Sequence, residues 1–488
     1  MPINSFENYP MNWKPKRPSK GQILYKALAE QLEQDINNGF LLPGTKLPPQ
    51  RELADFLDVN VSTISRAFKI CEKKGLISGV TGSGTFVSYD TRSNLFLMSS
   101  NNKITFIEMG TMNPDFTLEE MNTLFKHIVK EIDFKTIFQY GQRDGAKWQK
   151  EAIAKLIYKA GLETTADSLL PASGGQNAIV AILAGLFQHG DRIGVDPLTY
   201  PGIKTAAKML GVQLIPIKQE HNEISEEGLL YACKNENIKG LYIIPDYQNP
   251  TTHIMSQNGR KMIANIASKY NLIVIEDAIH SLLNETHLNP VASYLPNQTI
   301  YITSLSKIIA PSLRLAYIST PKQYRESLSD ALYNINLSQS YFLTEIAYRM
   351  ITSGEADKLI NARRKSARRR NKIINQYLSG YNLLGNEECI FRWLILPEGI
   401  MAEKFEIQAL KEGVQVYASE RFAVGKEKPI SAIRIAVCAT ESIEELKAGL
   451  SILKRLLEEK NNCIAHNILI VCIFFVVKIK LQQIVINL

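Results

Sequence analysis

The sequence predicts a multidomain protein, with a small helical unit closed by a hairpin followed by a large α/β domain on a mainly parallel sheet. Three observations predict it. At 488 residues the chain is too long for one ordinary domain. Near its start, apolar residues recur at helical spacing and then give way to an alternating segment around glycines. From about Ile104, short apolar strands alternate with amphipathic helices, as in a parallel sheet covered on both faces. With 45% hydrophobic and 21% charged residues, neither disorder nor low complexity describes the chain.

The first unit spans 22–88. Leu24, Leu28, Leu32 and Ile36 share one helical face, and Gly39 stops that helix. The Pro-rich LLPGTKLPPQ leads into a second helix, Arg51 to Leu57. After a turn at Asp58 to Asn60, a third helix presents Ile64, Ala67, Phe68 and Cys71 inward and ends at Gly75. LISGVTGSGTFVSY then alternates around a glycine-rich tip, the pattern of a two-stranded wing. These parts make a winged helix-turn-helix. A polar linker covers 89–103.

The second domain, 104–460, offers the strands DRIGV, QLIPI, GLYIIP, NLIVIED, TIYITS and RLAYIST. The run RRKSARRR, Arg363 to Arg370, falls within a long helical pattern from Glu355 to Leu378 and reads as a solvated helix face. The six cysteines are scattered, with no CxxC pair, so no metal centre is expected and a reducing cytoplasm is. The opening residues lack the apolar core of a secretory signal. The tail, 461–488, has an apolar run from Ile468 to Val477, shorter than the ~20 residues that span a bilayer. A buried terminal segment and a non-native extension of the reading frame are favoured over a membrane tail, because nothing else points to a membrane.

A helix entering the major groove needs short polar side chains at its start and a basic residue a turn later. Ser62, Thr63 and Arg66 supply them opposite the inward Ile64, Ala67 and Phe68. Arg51 is placed to meet a phosphate, and Gly84 at the wing tip lets backbone approach the minor groove. A protein-interaction module of three helices is the alternative; the wing argues for double-stranded DNA, and the net charge of +8 is compatible with it but too modest over this length to decide. The stretch from Leu47 to Val87 resembles the DNA-binding domain of the GntR family over its whole length. It departs at Val61, where many members carry arginine, so no operator sequence carries over.

Pyridoxal 5'-phosphate chemistry needs a lysine for a Schiff base, an anion beside the pyridine nitrogen and a phosphate cup. Lys307 follows the strand TIYITS and Asp277 ends NLIVIED, so both belong at the carboxyl edge of a parallel sheet. Gly174, Gly175 and Gln176 open an apolar helix whose N–H groups suit a phosphate, with Ser304, Ser306 and Arg314 completing the cup. Tyr200 is suited to stack on the ring and Asn249 to donate to its hydroxyl. Any one of these alone has an ordinary structural explanation; their order together does not.

Together they resemble a fold type I PLP-dependent aminotransferase from Ile104 to Lys460, and with the GntR-like head they resemble the MocR subfamily of regulators. The resemblance implies Lys307 as the Schiff-base lysine, Asp277 as the pyridinium partner and Arg434 as the grip on a ligand carboxylate. Where the family has a tyrosine shortly after that aspartate, this chain has Ile279 and His280, and His280 can hydrogen-bond the ring hydroxyl instead. That departure preserves cofactor binding and counts against efficient transamination. The expected protein is a cytoplasmic homodimeric regulator that binds DNA and senses an amino acid, an amine or PLP itself. The alternatives are an active aminotransferase with an accessory DNA-binding head, and a repressor with an empty large domain.

Overall fold

A computed structural model describes residues 11–17, 22–37, 40–41, 44–80, 84–88, 106–113, scattered positions between 122 and 135, and 141–459 except 287. The linker 89–103, the tail 461–488 and the stop at Gly39 lie outside the described residues.

In the head, helices Leu24–Asn37, Gln50–Leu57 and Val61–Lys73 are followed by the antiparallel pair Ile77–Val80 and Gly84–Val87. Leu28, Leu32, Leu53, Ile64, Phe68 and Cys71 share one core, as the periodicity predicts. Asn60 caps the third helix by accepting the Ser62 N–H at 2.9 Å, and the left-handed Asp58 makes the turn before it.

The described chain divides into two compact units. One unit gathers the head with the described residues of 116–362 and 420–429; the other gathers the described residues of 102–115, 363–419 and 430–459. Residues 104–460, expected from the sequence as one domain, contribute to both units, since the returning segments carry no composition change to mark them.

The first of these units carries a seven-stranded sheet in the order Leu169–Ala172, Ala316–Ser319, Thr299–Ser304, Ile273–Asp277, Gly240–Ile243, Arg192–Val195, Gln213–Pro216. Only Ala316–Ser319 runs antiparallel to its neighbours. All six strands expected from the sequence are present. Leu169–Ala172 was missed, being four residues long and interrupted by Pro171. Apolar clusters cover the sheet, one around Ile179, Ile182 and Ile203 and another around Leu229, Ile263 and Val291.

The second unit has an antiparallel sheet, Asn382–Leu384, Phe391–Ile395, Ala432–Ala436 and Tyr417–Ala418, packed with Phe405, Leu446 and Leu450. The arginine run corrects an expectation. Arg363 and Arg370 are buried, and Arg370 donates to the Thr440 hydroxyl at 2.6 Å and its carbonyl at 3.1 Å. Lys365 and Arg369 stay exposed, so the run has one face against a core and one toward water.

Candidate cofactor site and DNA-binding face

Parallel strands deliver their last residues to one edge of the sheet, and Asp277 is delivered there as the final residue of Ile273–Asp277. It is 1% exposed. Its Oδ2 accepts the Tyr242 hydroxyl at 2.6 Å from the adjacent strand, and its Oδ1 accepts only a long bond from Ile279 N–H at 3.4 Å. Among the described residues no basic side chain pairs with it. Burial raises its carboxyl from 3.8 to about 6, against the lowering effect of the Tyr242 bond. A buried acid without a cation is a fitting neighbour for a protonated pyridine nitrogen.

Gly174 begins the helix Gly175–Leu186 with φ +88, a conformation that side chains resist. Space excludes a side chain too, because a Cβ there would sit 2.8 Å from an Arg314 guanidinium nitrogen. That guanidinium reaches the Ser173 carbonyl at 3.5 Å, so Arg314 lies over the helix start, whose first N–H groups have no side-chain cap. Ser306 Oγ is buried without a hydrogen-bond partner. Ser304 instead serves its own turn, accepting Ser306 N–H at 3.2 Å and donating to the Leu315 carbonyl at 3.4 Å. Uncapped N–H groups, an arginine and an unsatisfied hydroxyl are a donor set that fits a phosphate.

Lys307 is half-buried in the turn after Thr299–Ser304. Tyr200 caps the helix Pro201–Leu210 with its ring against Gly202, and Gln176 donates to the Gly202 carbonyl at 2.9 Å, so that glutamine's amide is turned toward the Tyr200 loop. Asn249 and His280 are each 1% exposed. Sequence reasoning missed Tyr242, which sits in an ordinary apolar strand and whose role shows only once its neighbouring strand is known.

Arg434 lies in the other unit, 2% exposed. Its guanidinium donates to the Gly110 carbonyl at 2.6 Å and stands 5.8 and 5.5 Å from the ring centres of Phe391 and Tyr417. Gly110 was not anticipated; the packing of Tyr417 against it leaves no room for a side chain, since a Cβ would meet the ring at 2.8 Å.

In the head, Arg51, Ser62, Arg66 and Gly84 are exposed and Thr63 is half-buried. These are not the only polar groups on the outward face. Ser65 and Lys69 are also exposed, with Ser65 donating to Gln50 at 2.6 Å. Arg66 stands 5.9 Å from the centre of the Tyr25 ring.

A cavity of about 780 Å³ opens at the other edge of the large sheet, lined in part by Ser168, Thr299 and Ser319, and contains none of these residues. No group of metal-ligating side chains and no helix long and apolar enough to cross a membrane occurs among the described residues.

Known proteins resemble the head and the large domain separately. Residues 105–453 match the class I and II aminotransferases, and residues 24–87 match the gntR family of bacterial regulatory proteins. The HTH-type transcriptional regulator YdeF of Bacillus subtilis is 55% identical over 460 residues, covering 94% of this chain and all of that one. The regulator YjiR of Escherichia coli is 24% identical, covering 86% of this chain and 96% of its own. Among solved structures, a kynurenine aminotransferase of Pyrococcus horikoshii superposes with a TM-score of 0.66 at 22% identity, covering 76% of this chain and 96% of its own, a likeness of fold. The chain therefore belongs to the GntR-type transcriptional regulators whose helix-turn-helix head is joined to an aminotransferase class I and II domain, the MocR architecture.

Proposed function

We propose that this regulator holds pyridoxal 5'-phosphate in its aminotransferase-like domain and uses it to sense an amino acid, an amine or PLP, changing how its heads bind DNA. The observation that carries the reading is Asp277, a buried acid with no cation of its own. Bound there, the cofactor supplies an aldehyde that reacts with amines and an electron-withdrawing ring.

Each residue then has a task. Asp277 holds the proton on the ring nitrogen. The N–H groups after Gly174, with Ser306 and Arg314, bind the phosphate, and Ser304 shapes the turn that presents Ser306. Tyr200 would stack on the ring, Asn249 and His280 would bond its hydroxyl, and Lys307 would supply the amine that holds the aldehyde. Arg434, steadied by two aromatic rings, takes a ligand carboxylate. Arg51, Ser62, Thr63, Arg66 and Gly84 contact double-stranded DNA, and a cytoplasmic homodimer reads paired half-sites. Coupling follows if the ligand binds two arrangements of the heads unequally. The relatives named as regulators favour this reading over an enzyme with an accessory head.

The test is spectroscopic. Purified protein given PLP should gain the visible absorbance of lysine-bound cofactor, Lys307→Ala should lack it, and candidate amines should alter operator affinity in the wild type alone. A wild-type spectrum in the Lys307 variant would place the cofactor elsewhere.

A further inference from the structure

Tyr242 is wholly buried on Gly240–Ile243, the strand beside Asp277. Its hydroxyl donates to Asp277 Oδ2 at 2.6 Å, the shorter of the two hydrogen bonds that the carboxyl receives. Burial first, then Asp277, with Tyr200 and Asp196 adding to them, pushes the tyrosine well above its ordinary range. It therefore stays protonated at any working pH and acts toward Asp277 as a donor.

We propose that Tyr242 is the positioning residue for Asp277, its hydroxyl clamping one carboxylate oxygen so that the other is held for the ring nitrogen of a pyridine cofactor. This rests on the cofactor reading above. A neutral donor suits the task for two reasons. It stops rotation of the carboxyl group and satisfies one oxygen, where phenylalanine would leave a buried carboxylate almost bare and drive it toward the neutral acid. Unlike lysine or arginine, it leaves the negative charge uncancelled, so the acid retains its pull on a pyridinium. The charged and titratable groups acting on the pair are Tyr200 and Asp196. On the far side, Ile302 faces Asp277 in register and brings no charge.

The experiment measures PLP dissociation constants by absorbance titration from pH 5.5 to 8.5 for the wild type, Y242F, D277N and the double variant. Y242F should bind PLP about 5–20-fold more weakly at pH 7 and lose little further in the D277N background, because both changes remove one interaction. The pH below which affinity falls should move upward in Y242F. Placing 3-fluorotyrosine at position 242, nearly the same size and a more acidic donor, should move that pH downward, which keeps the test independent of any folding defect in Y242F. Equal affinity of Y242F and wild type, the same loss in both backgrounds, or an unmoved pH dependence would overturn the clamp. If the wild type binds PLP and D277N does not while Y242F is normal, the clamp fails and the cofactor reading stands; if the wild type takes up no PLP, both fall.

Discussion

Asp246 and Asp277 are both buried acids following neighbouring parallel strands, and their surroundings are opposite. Asp246 is enclosed by donors, with Arg260 at 2.7 Å, Ser281 at 2.5 Å and Asn284 at 3.1 Å. Asp277 has a tyrosine, one distant N–H and no cation. The first carboxylate completes a structure, and the second leaves a charge for something else to balance. Within one sheet edge, the acid that is poorly satisfied by its own chain is the better candidate for a ligand site than the acid with the richer network.

The comparison is broken most readily by exchanging each acid for its amide. Asp246→Asn leaves the fully buried Arg260 guanidinium without its counter-charge and should cost about 3–5 kcal/mol of stability, read by denaturant unfolding of the apo-protein. An unchanged midpoint would mean that the ion pair is dispensable and that the contrast with Asp277 is false.

Asp277→Asn should act with the opposite sign. Folding raises this carboxyl from 3.8 to about 6, so at pH 7 the folded apo-protein carries a buried charge that the unfolded chain holds in water. The penalty is complete above pH 6, shrinks as pH falls through 6, and vanishes below 3.8. The amide should therefore stabilise the apo-protein by roughly 1–3 kcal/mol at pH 7, with the gain fading toward pH 4. A destabilised or pH-independent variant would refute this assignment.

The head behaves differently, because the side chains proposed to meet DNA are exposed, apart from the half-buried Thr63, and should carry binding without stability. Arg66→Ala should weaken specific DNA binding by about 1–3 kcal/mol while leaving the melting temperature nearly unchanged. Unaltered operator affinity after replacing Arg51, Ser62, Thr63 and Arg66 together would exclude this face. Asn60→Ala reverses the roles at smaller scale. Losing the cap on the Ser62 N–H should cost about 1 kcal/mol of head stability, visible as a lowered melting temperature.

What the sequence revealed follows the same division. Local periodicity located the head's three helices, its wing and six of the seven strands, because each buries one stripe or one short apolar run. Asp277, Lys307, Gly174 and Arg314 are candidates from the sequence because each falls at or just after a strand or helix end with a chemical demand on its residue type, and the structure brings Gly174 and Arg314 together. Tyr242 and Gly110 were not, because their importance comes from strand neighbours far away in sequence. The arginine run misled for the same reason: charge suggests solvent, while Arg370 finds its partners at Thr440. The division of 104–460 into two units also depends on returning segments that no local signal announces.

Whether Asp277 is poised for a pyridinium can be read from thermal melting of wild type and Asp277→Asn at pH 7, each with and without PLP. The variant should melt higher than the wild type without PLP, and saturating PLP should reverse the order, because the cofactor supplies the charge that only the carboxylate can use. Equal upward shifts in both proteins, or no shift in the wild type, would contradict it.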